Sequence, residues 1–311
     1  MSAVAQAAPA ASWSDTDLAY AFRHSPAAQV SLALTFGLVG AALAAGWLAP
    51  YDELDPSVAN VIDARMPPGA TGFSGERYWL GTDPQGRDMV SAMLFGLRTS
   101  LLVGFASVAA AVFVGVTLGL VSGYFGGVLD TFIMRLADLQ LTFPAILIAL
   151  LTDGIVRTVM SREMHDRMAI PVLIAAIALS YWVQYARTVR SLALVERDKD
   201  YVQAARVTGV STLRILGAHI LPNVAGPVLV IATINLALAI LTEATLSFLG
   251  VGVPPTQPSL GSLVRIGNEF LFSGDWWISV LPGALLITLS LAVNLLGDWL
   301  RDTLDPKLAT P

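Results

Sequence analysis

The chain has 311 residues, 55% hydrophobic and only 13% charged, with a formal net charge of −5 and a mean hydropathy of +0.67. Soluble domains carry about a quarter charged residues, so composition points to a membrane protein, and the acidic balance gives no broad basic surface for nucleic acid. With no cysteine there are no disulfides, thiolate metal sites or cysteine nucleophiles, and His24, His165 and His219 share no metal-ligand spacing.

Residues 1–29 carry Asp15 and Asp17 without the basic start of a signal peptide. They are expected to form a cytoplasmic tail, disordered to about residue 20, with a short interfacial helix around Trp13 to Arg23. A helix needs roughly 20 apolar residues to cross the hydrocarbon core. Charge-poor runs place six spans at about 30–49, 99–121, 130–152, 168–188, 223–243 and 276–297. The third is the weakest, because Arg135 and Asp138 interrupt it and its apolar part, Leu139 to Thr152, is too short alone. Those charges are tolerated at the interface or paired inside the bundle. Residues 50–98, rich in Pro, Gly and acidic side chains, form an external loop, and 301–311 a cytoplasmic tail. Residues 244–264 are free of charge but broken by Pro254, Pro255 and Pro258, and read as a re-entrant or hairpin-like external segment. The expected fold is therefore an all-α polytopic bundle, its membrane domain running from 30 to 300.

Lys and Arg set the orientation. Arg23 precedes the first span and Asp52, Glu53 and Asp55 follow it, which puts both termini in the cytoplasm. The loop 189–222 is then cytoplasmic and, with Arg187 beside it, holds the densest basic stretch, including Arg190, Arg197, Lys199, Arg206 and Arg214. Arg157, Arg162 and Arg167 run against this assignment, partly offset by Asp153, Glu163 and Asp166.

Gly115, Gly119, Gly123 and Gly127 recur every four residues, on one helical face, and predict close helix packing. Gln184, Asn235, Glu243 and Asn294 are polar at membrane depth, so each is either a hydrogen-bonded packing residue or part of a pathway or gate.

Residues 200–208 suit a short helix, Gly209 permits the positive φ that ends one, Ser211 can cap the next, and Pro222 marks entry to the fifth span. Ala204 and Ala205 leave a small-residue surface into which another protein could fit. This segment resembles the Glu-Ala-Ala motif of ABC-importer permeases: Gln203-Ala204-Ala205, three residues, Gly209, then Leu221-Pro222, with Gln203 in place of Glu and His219 in place of Ile. Further stretches are similar to the dipeptide/oligopeptide (peptide/nickel) permease family, second-permease or C-type subunit. They are Leu80 to Asp88, Gly96 to Leu101, Gly123 to Gly127 followed by Asp130, Leu246 to Gly252, and Asn294 to Asp302 followed by Leu304-Asp305-Pro306.

That resemblance implies a type I importer permease in the bacterial cytoplasmic membrane, moving dipeptides or oligopeptides. It implies a related second permease, two ABC ATPase subunits that bind ATP and Mg, an extracytoplasmic solute-binding protein and surrounding lipid. Tyr201, Gln203, Ala204, Ala205, Arg206, Gly209, Leu221 and Pro222 would form the ATPase-coupling segment. Relatives that carry nickel chelates, glutathione or other peptide-like solutes leave those cargoes open. The chain has no P-loop of its own, since its only lysines are Lys199 and Lys307, so it is expected to bind no cofactor or metal and to do no catalysis. A passive channel or an intramembrane enzyme is the reading from another class. The first needs no docking helix, and the second finds no catalytic pair at one depth, because Asp138, Glu243 and Asp298 lie on different spans.

Overall fold

A computed structural model describes residues 17–51, 61–73, 75–254 and 257–304. The expected tail before Asp17, including Trp13, and the last seven residues, with Lys307, lie outside them. In chain order the helices are α1 (Asp17–Arg23), α2 (Pro26–Leu43), α3 (Ala45–Leu48), α4 (Met89–Phe125), α5 (Gly127–Leu141), α6 (Ala145–Val159), α7 (Arg162–Arg197), α8 (Asp200–Val207), α9 (Thr212–Arg214), α10 (Leu221–Phe248), α11 (Leu260–Phe270) and α12 (Trp277–Leu304). A π-helical turn, Ile215–Ile220, joins α9 to α10. Among the described residues five helices are long and apolar enough to cross a membrane, and a sixth crossing arises if α5 and α6 count as one broken span.

The third expected span is bent. α5 and α6 meet at 95° across Thr142–Pro144, where Pro144 takes an extended ψ of 138°. The residue before a proline is pushed away from helical geometry, and this breaks the run. Of the charges that weakened the span, Asp138 pairs with α7, 3.2 Å from Arg187, and at the start of α5 Arg190 grips Asp130 with Nε–Oδ1 2.5 Å and Nη2–Oδ2 2.6 Å.

α4 starts ten residues before the expected second span, inside the expected external loop. Arg98 ended the charge-free run there, yet the helix is capped further back, where Asp88 accepts from Ser91 N at 2.8 Å. The remaining described loop folds onto the same end of the bundle. Asp83 and Arg87 form a buried pair at 2.7 Å, and the Trp277 indole of α12 donates to the Thr82 carbonyl at 3.2 Å.

α4 and α7 form the central pair. A Cβ added at Gly115, Gly119 or Gly123 would stand 2.5, 2.6 or 2.7 Å from the carbonyl oxygens of Trp182, Ala186 and Arg190. Glycines spaced by four thus face carbonyls spaced by four, and backbone meets backbone. Gly127 does not belong to this seam. It lies past the Gly126 cap and begins α5 with φ +60°, and a Cβ added there would meet nothing within 4 Å. Around the pair, α10 packs on α4, α7 and α12, while α2 lies against α12 and α4. Within the re-entrant or hairpin-like segment expected at 244–264, residues 244–248 end α10 and residues 260–264 begin α11. α11 is held close to its neighbours, since a Cβ at Gly261 would stand 2.4 Å from the Ala244 carbonyl and one at Gly267 2.4 Å from the Ile278 backbone.

Candidate functional site

The conspicuous feature at the end of the bundle opposite Trp277 is α8, which leaves α7 at a short turn and crosses the bundle base. Its sequence alternates so that Val202 and Ala205, three apart, face inward. They join Tyr185, Val189, Ile215, Ile220 and Val224 in one buried cluster. Gln203, Ala204, Arg206 and Gly209 face away and are exposed. The two alanines therefore divide: Ala204 is open to a partner, whereas Ala205 is core. Gly209 ends the helix with φ +78° and nothing within 4 Å of a Cβ position, and Val210 N closes the turn on the Ala205 carbonyl at 3.0 Å. Val207 and Leu213, 88% and 83% exposed, flank this turn. Sequence reasoning passed over both; apolar side chains on the polar side of a short loop helix were the available signal.

α8 is clasped at both ends. The Tyr201 hydroxyl donates to Glu196 Oε2 at 2.5 Å and accepts from Asn223 Nδ2 at 3.0 Å, so one phenol links α7, α8 and α10. Its hydrogen bond to Glu196, then burial, pushes its ionisation up to about 12. Lys199 Nζ lies 2.6 Å from Glu196 Oε1. Gln203 Nε2 donates to the Arg197 carbonyl at 3.0 Å. Arg206 Nε donates to the Tyr124 hydroxyl at 3.2 Å, with its guanidinium 4.6 Å from the centre of that ring, which ties α8 to the end of α4. Leu221 and Pro222, both exposed, open α10 beside this clasp.

The polar residues at membrane depth separate into two groups. Asn235 Nδ2 donates to Gln184 Oε1 at 3.1 Å, which joins α10 to α7. Two turns along α10, Glu243 is fully buried. Ser100 Oγ lies 2.6 Å from its Oε2 and Ser247 Oγ 2.7 Å from its Oε1. Ser100 Oγ in turn accepts from Leu260 N at 3.2 Å. The Ser100 hydroxyl donates to the carboxyl group, and Glu243 thus links α4, α10 and the first residue of α11. Asn294, half-buried on α12, hydrogen-bonds to none of these. Among the described residues no group of three or more His, Asp or Glu is placed to hold a metal ion.

The family model for the binding-protein-dependent transport system inner membrane component matches residues 115–310. The chain is 35% identical to the dipeptide transport system permease protein DppC of Haemophilus influenzae, covering 92% of each chain. It is 37% identical to the di/tripeptide transport system permease protein DppC of Pseudomonas aeruginosa, over 92% of this chain and 90% of that one. The oligopeptide transport system permease protein OppC of Mycobacterium tuberculosis is 36% identical with 92% of each covered. Among solved structures, an inward-facing MetNI methionine ABC transporter chain superposes with a TM-score of 0.54 at 19% identity, covering 69% of this chain and 97% of that one. At that identity the likeness concerns the fold.

Proposed function

Since the chain belongs to the family of binding-protein-dependent transport system inner membrane components, as a C-type peptide permease subunit, we propose that it carries dipeptides or oligopeptides inward across the cytoplasmic membrane. It is a transport subunit and not an enzyme. It works with a related second permease, two ATPase subunits and a solute-binding protein.

The observation that carries the mechanism is α8. It is rooted in the bundle by Val202 and Ala205 and presents Ala204, Val207 and Gly209 outward. A groove on an ATPase would receive that small-residue face. Force on α8 passes through Tyr201 to α7 and α10 together, and through Arg206 to the end of α4. Movement of the ATPases then shifts the bundle between two openings, because they bind α8 differently in each state. The cytoplasmic assignment of both termini is supported by Phe22 of α1, whose ring centre lies 5.5 Å from that of Trp299 near the end of α12. α8 lies at the end of the bundle that α12 reaches, so α1, the end of α12 and the docking face share a side.

The test is ATP-driven uptake of labelled peptides in vesicles that hold the partner subunits, with Ala204→Glu beside Ala204→Ser. Ala204→Glu is expected to retain ATPase activity and lose at least ~90% of uptake, because a desolvated carboxylate without a partner is strongly disfavoured at an interface. Coupled uptake at the wild-type rate in Ala204→Glu would refute docking at this face.

A further inference from the structure

One cation takes no part in the coupling clasp or in the Glu243 cluster. Arg98 stands on α4 nine residues after Met89, about 14 Å along the helix axis from its start, and only half a turn from Ser100. Its side chain is exposed in the single chain, and among the described residues it has neither an ion pair nor a hydrogen bond. It lines a cavity of about 270 Å³ with Phe95, Thr99, Ile170, Gln257 and Pro258. Three elements build the walls: α4, α7 and the turn between α10 and α11. Phe95, Ile170 and Pro258 make them mostly apolar, with one hydroxyl and one amide, the composition of a small-solute site.

Arg98 bounds the charge-free run of the second span, and a cation at the margin of a span faces water, a partner or an aqueous path. The planar fork of its guanidinium fits a carboxylate through two parallel hydrogen bonds. The volume suits one end of a peptide rather than a whole one. The wall is also connected to the buried cluster: Pro258 precedes Ser259 and Leu260, and Leu260 N bonds to Ser100, which holds Glu243. We infer that Arg98 is a subsite for the C-terminal carboxylate of the cargo as it passes this chain. This rests on the peptide reading above.

The test uses the full transporter in liposomes, with saturating binding protein, and measures uptake of a labelled dipeptide and of its C-terminal amide for wild type, R98K and R98Q. Wild type is expected to favour the free acid. R98Q lowers acid uptake at least tenfold and brings it level with the amide, while its melting temperature stays at the wild-type value. R98K keeps an intermediate preference and decides the matter if R98Q does not assemble. An unchanged acid-to-amide ratio in both variants overturns the subsite. So does equal loss on both substrates, or recovery of R98Q by neutralising an acidic residue of the second permease, since Arg98 would then be a packing or inter-subunit ion-pair residue. If wild type moves neither peptide form, the cargo reading fails and the subsite with it. If wild type moves the dipeptide and only the ratio is insensitive to Arg98, the subsite alone fails.

Discussion

Replacing Gly115 by alanine probes the joint between α4 and α7. An ideal Cβ there would lie 2.5 Å from the Trp182 carbonyl oxygen, 2.6 Å from Tyr185 Cβ and 3.1 Å from Ala186 N. Carbon–oxygen contacts settle at about 3.3 Å or more, so α7 must retreat by about 0.8 Å. None of these three atoms is the far end of a flexible side chain, so no rotamer change relieves the clash. Overpacking of this kind costs about 1–3 kcal/mol, while exchanging glycine for alanine within a helix returns about 1 kcal/mol. The net expectation is a loss of up to about 2 kcal/mol. Gly37→Ala in α2 is the matched control, because nothing lies within 4 Å of that Cβ position and only the propensity gain applies. Thermal unfolding of the purified chain in detergent, followed by tryptophan fluorescence, should rank Gly37→Ala at or above wild type and Gly115→Ala below it, with Gly115→Val lower still. If Gly115→Ala melts with Gly37→Ala, the two backbones are not in contact and the joint has been misread.

Glu243→Ala should destabilise by about 1–3 kcal/mol for each hydroxyl it strands, Ser100 and Ser247, with Glu243→Gln milder; a wild-type melting temperature in Glu243→Ala would show that the carboxyl group holds nothing together. Tyr201→Phe should weaken the α7–α8–α10 clasp and reduce coupled uptake with the chain still inserted, and wild-type coupling would count against transmission through this phenol. The same variant has a pH signature. The folded-state hydroxyl, at about 12, lies above its ordinary value of 10.0, so its stabilisation is whole below pH 10 and fades as pH rises toward 12. The stability difference between wild type and Tyr201→Phe should therefore shrink across that window, and a constant difference would exclude the hydrogen bond to Glu196. Gly209→Val should cost about 1–2 kcal/mol for its left-handed backbone and disturb the outward face of α8; unaltered stability by thermal unfolding would contradict the assigned turn.

Much of the bundle is readable from sequence because lipid permits little else. Charge-free runs become helices, and the bilayer fixes their length. What escaped did so for identifiable reasons. Counting charge-free residues ended α4 at Arg98, although Asp88 and Ser91 carried a capping signal further back. α11 was hidden behind Pro254, Pro255 and Pro258, yet Ser259 and Ser262 cap its start reciprocally, a hydroxyl variant of a pattern usually sought with Glu or Gln. The division of Ala204 from Ala205 was within reach, since Val202 and Ala205 sit three apart on one face. The Ser100 partner of Glu243 was not, being 143 residues away in the chain; only the tertiary arrangement brings them together. Nor does spacing by four reveal where a series stops, and Gly127 continues the glycine pattern after the helix has ended.

The matched spacing of Gly115, Gly119 and Gly123 with Trp182, Ala186 and Arg190 bears on how such chains can diverge. Inserting or deleting one residue within either stretch would rotate everything beyond it by about 100°, turning side chains into a gap that admits none. Length changes should accordingly accumulate in the turns around these two helices, and one inside the shared stretch should survive only with a compensating change in the other helix.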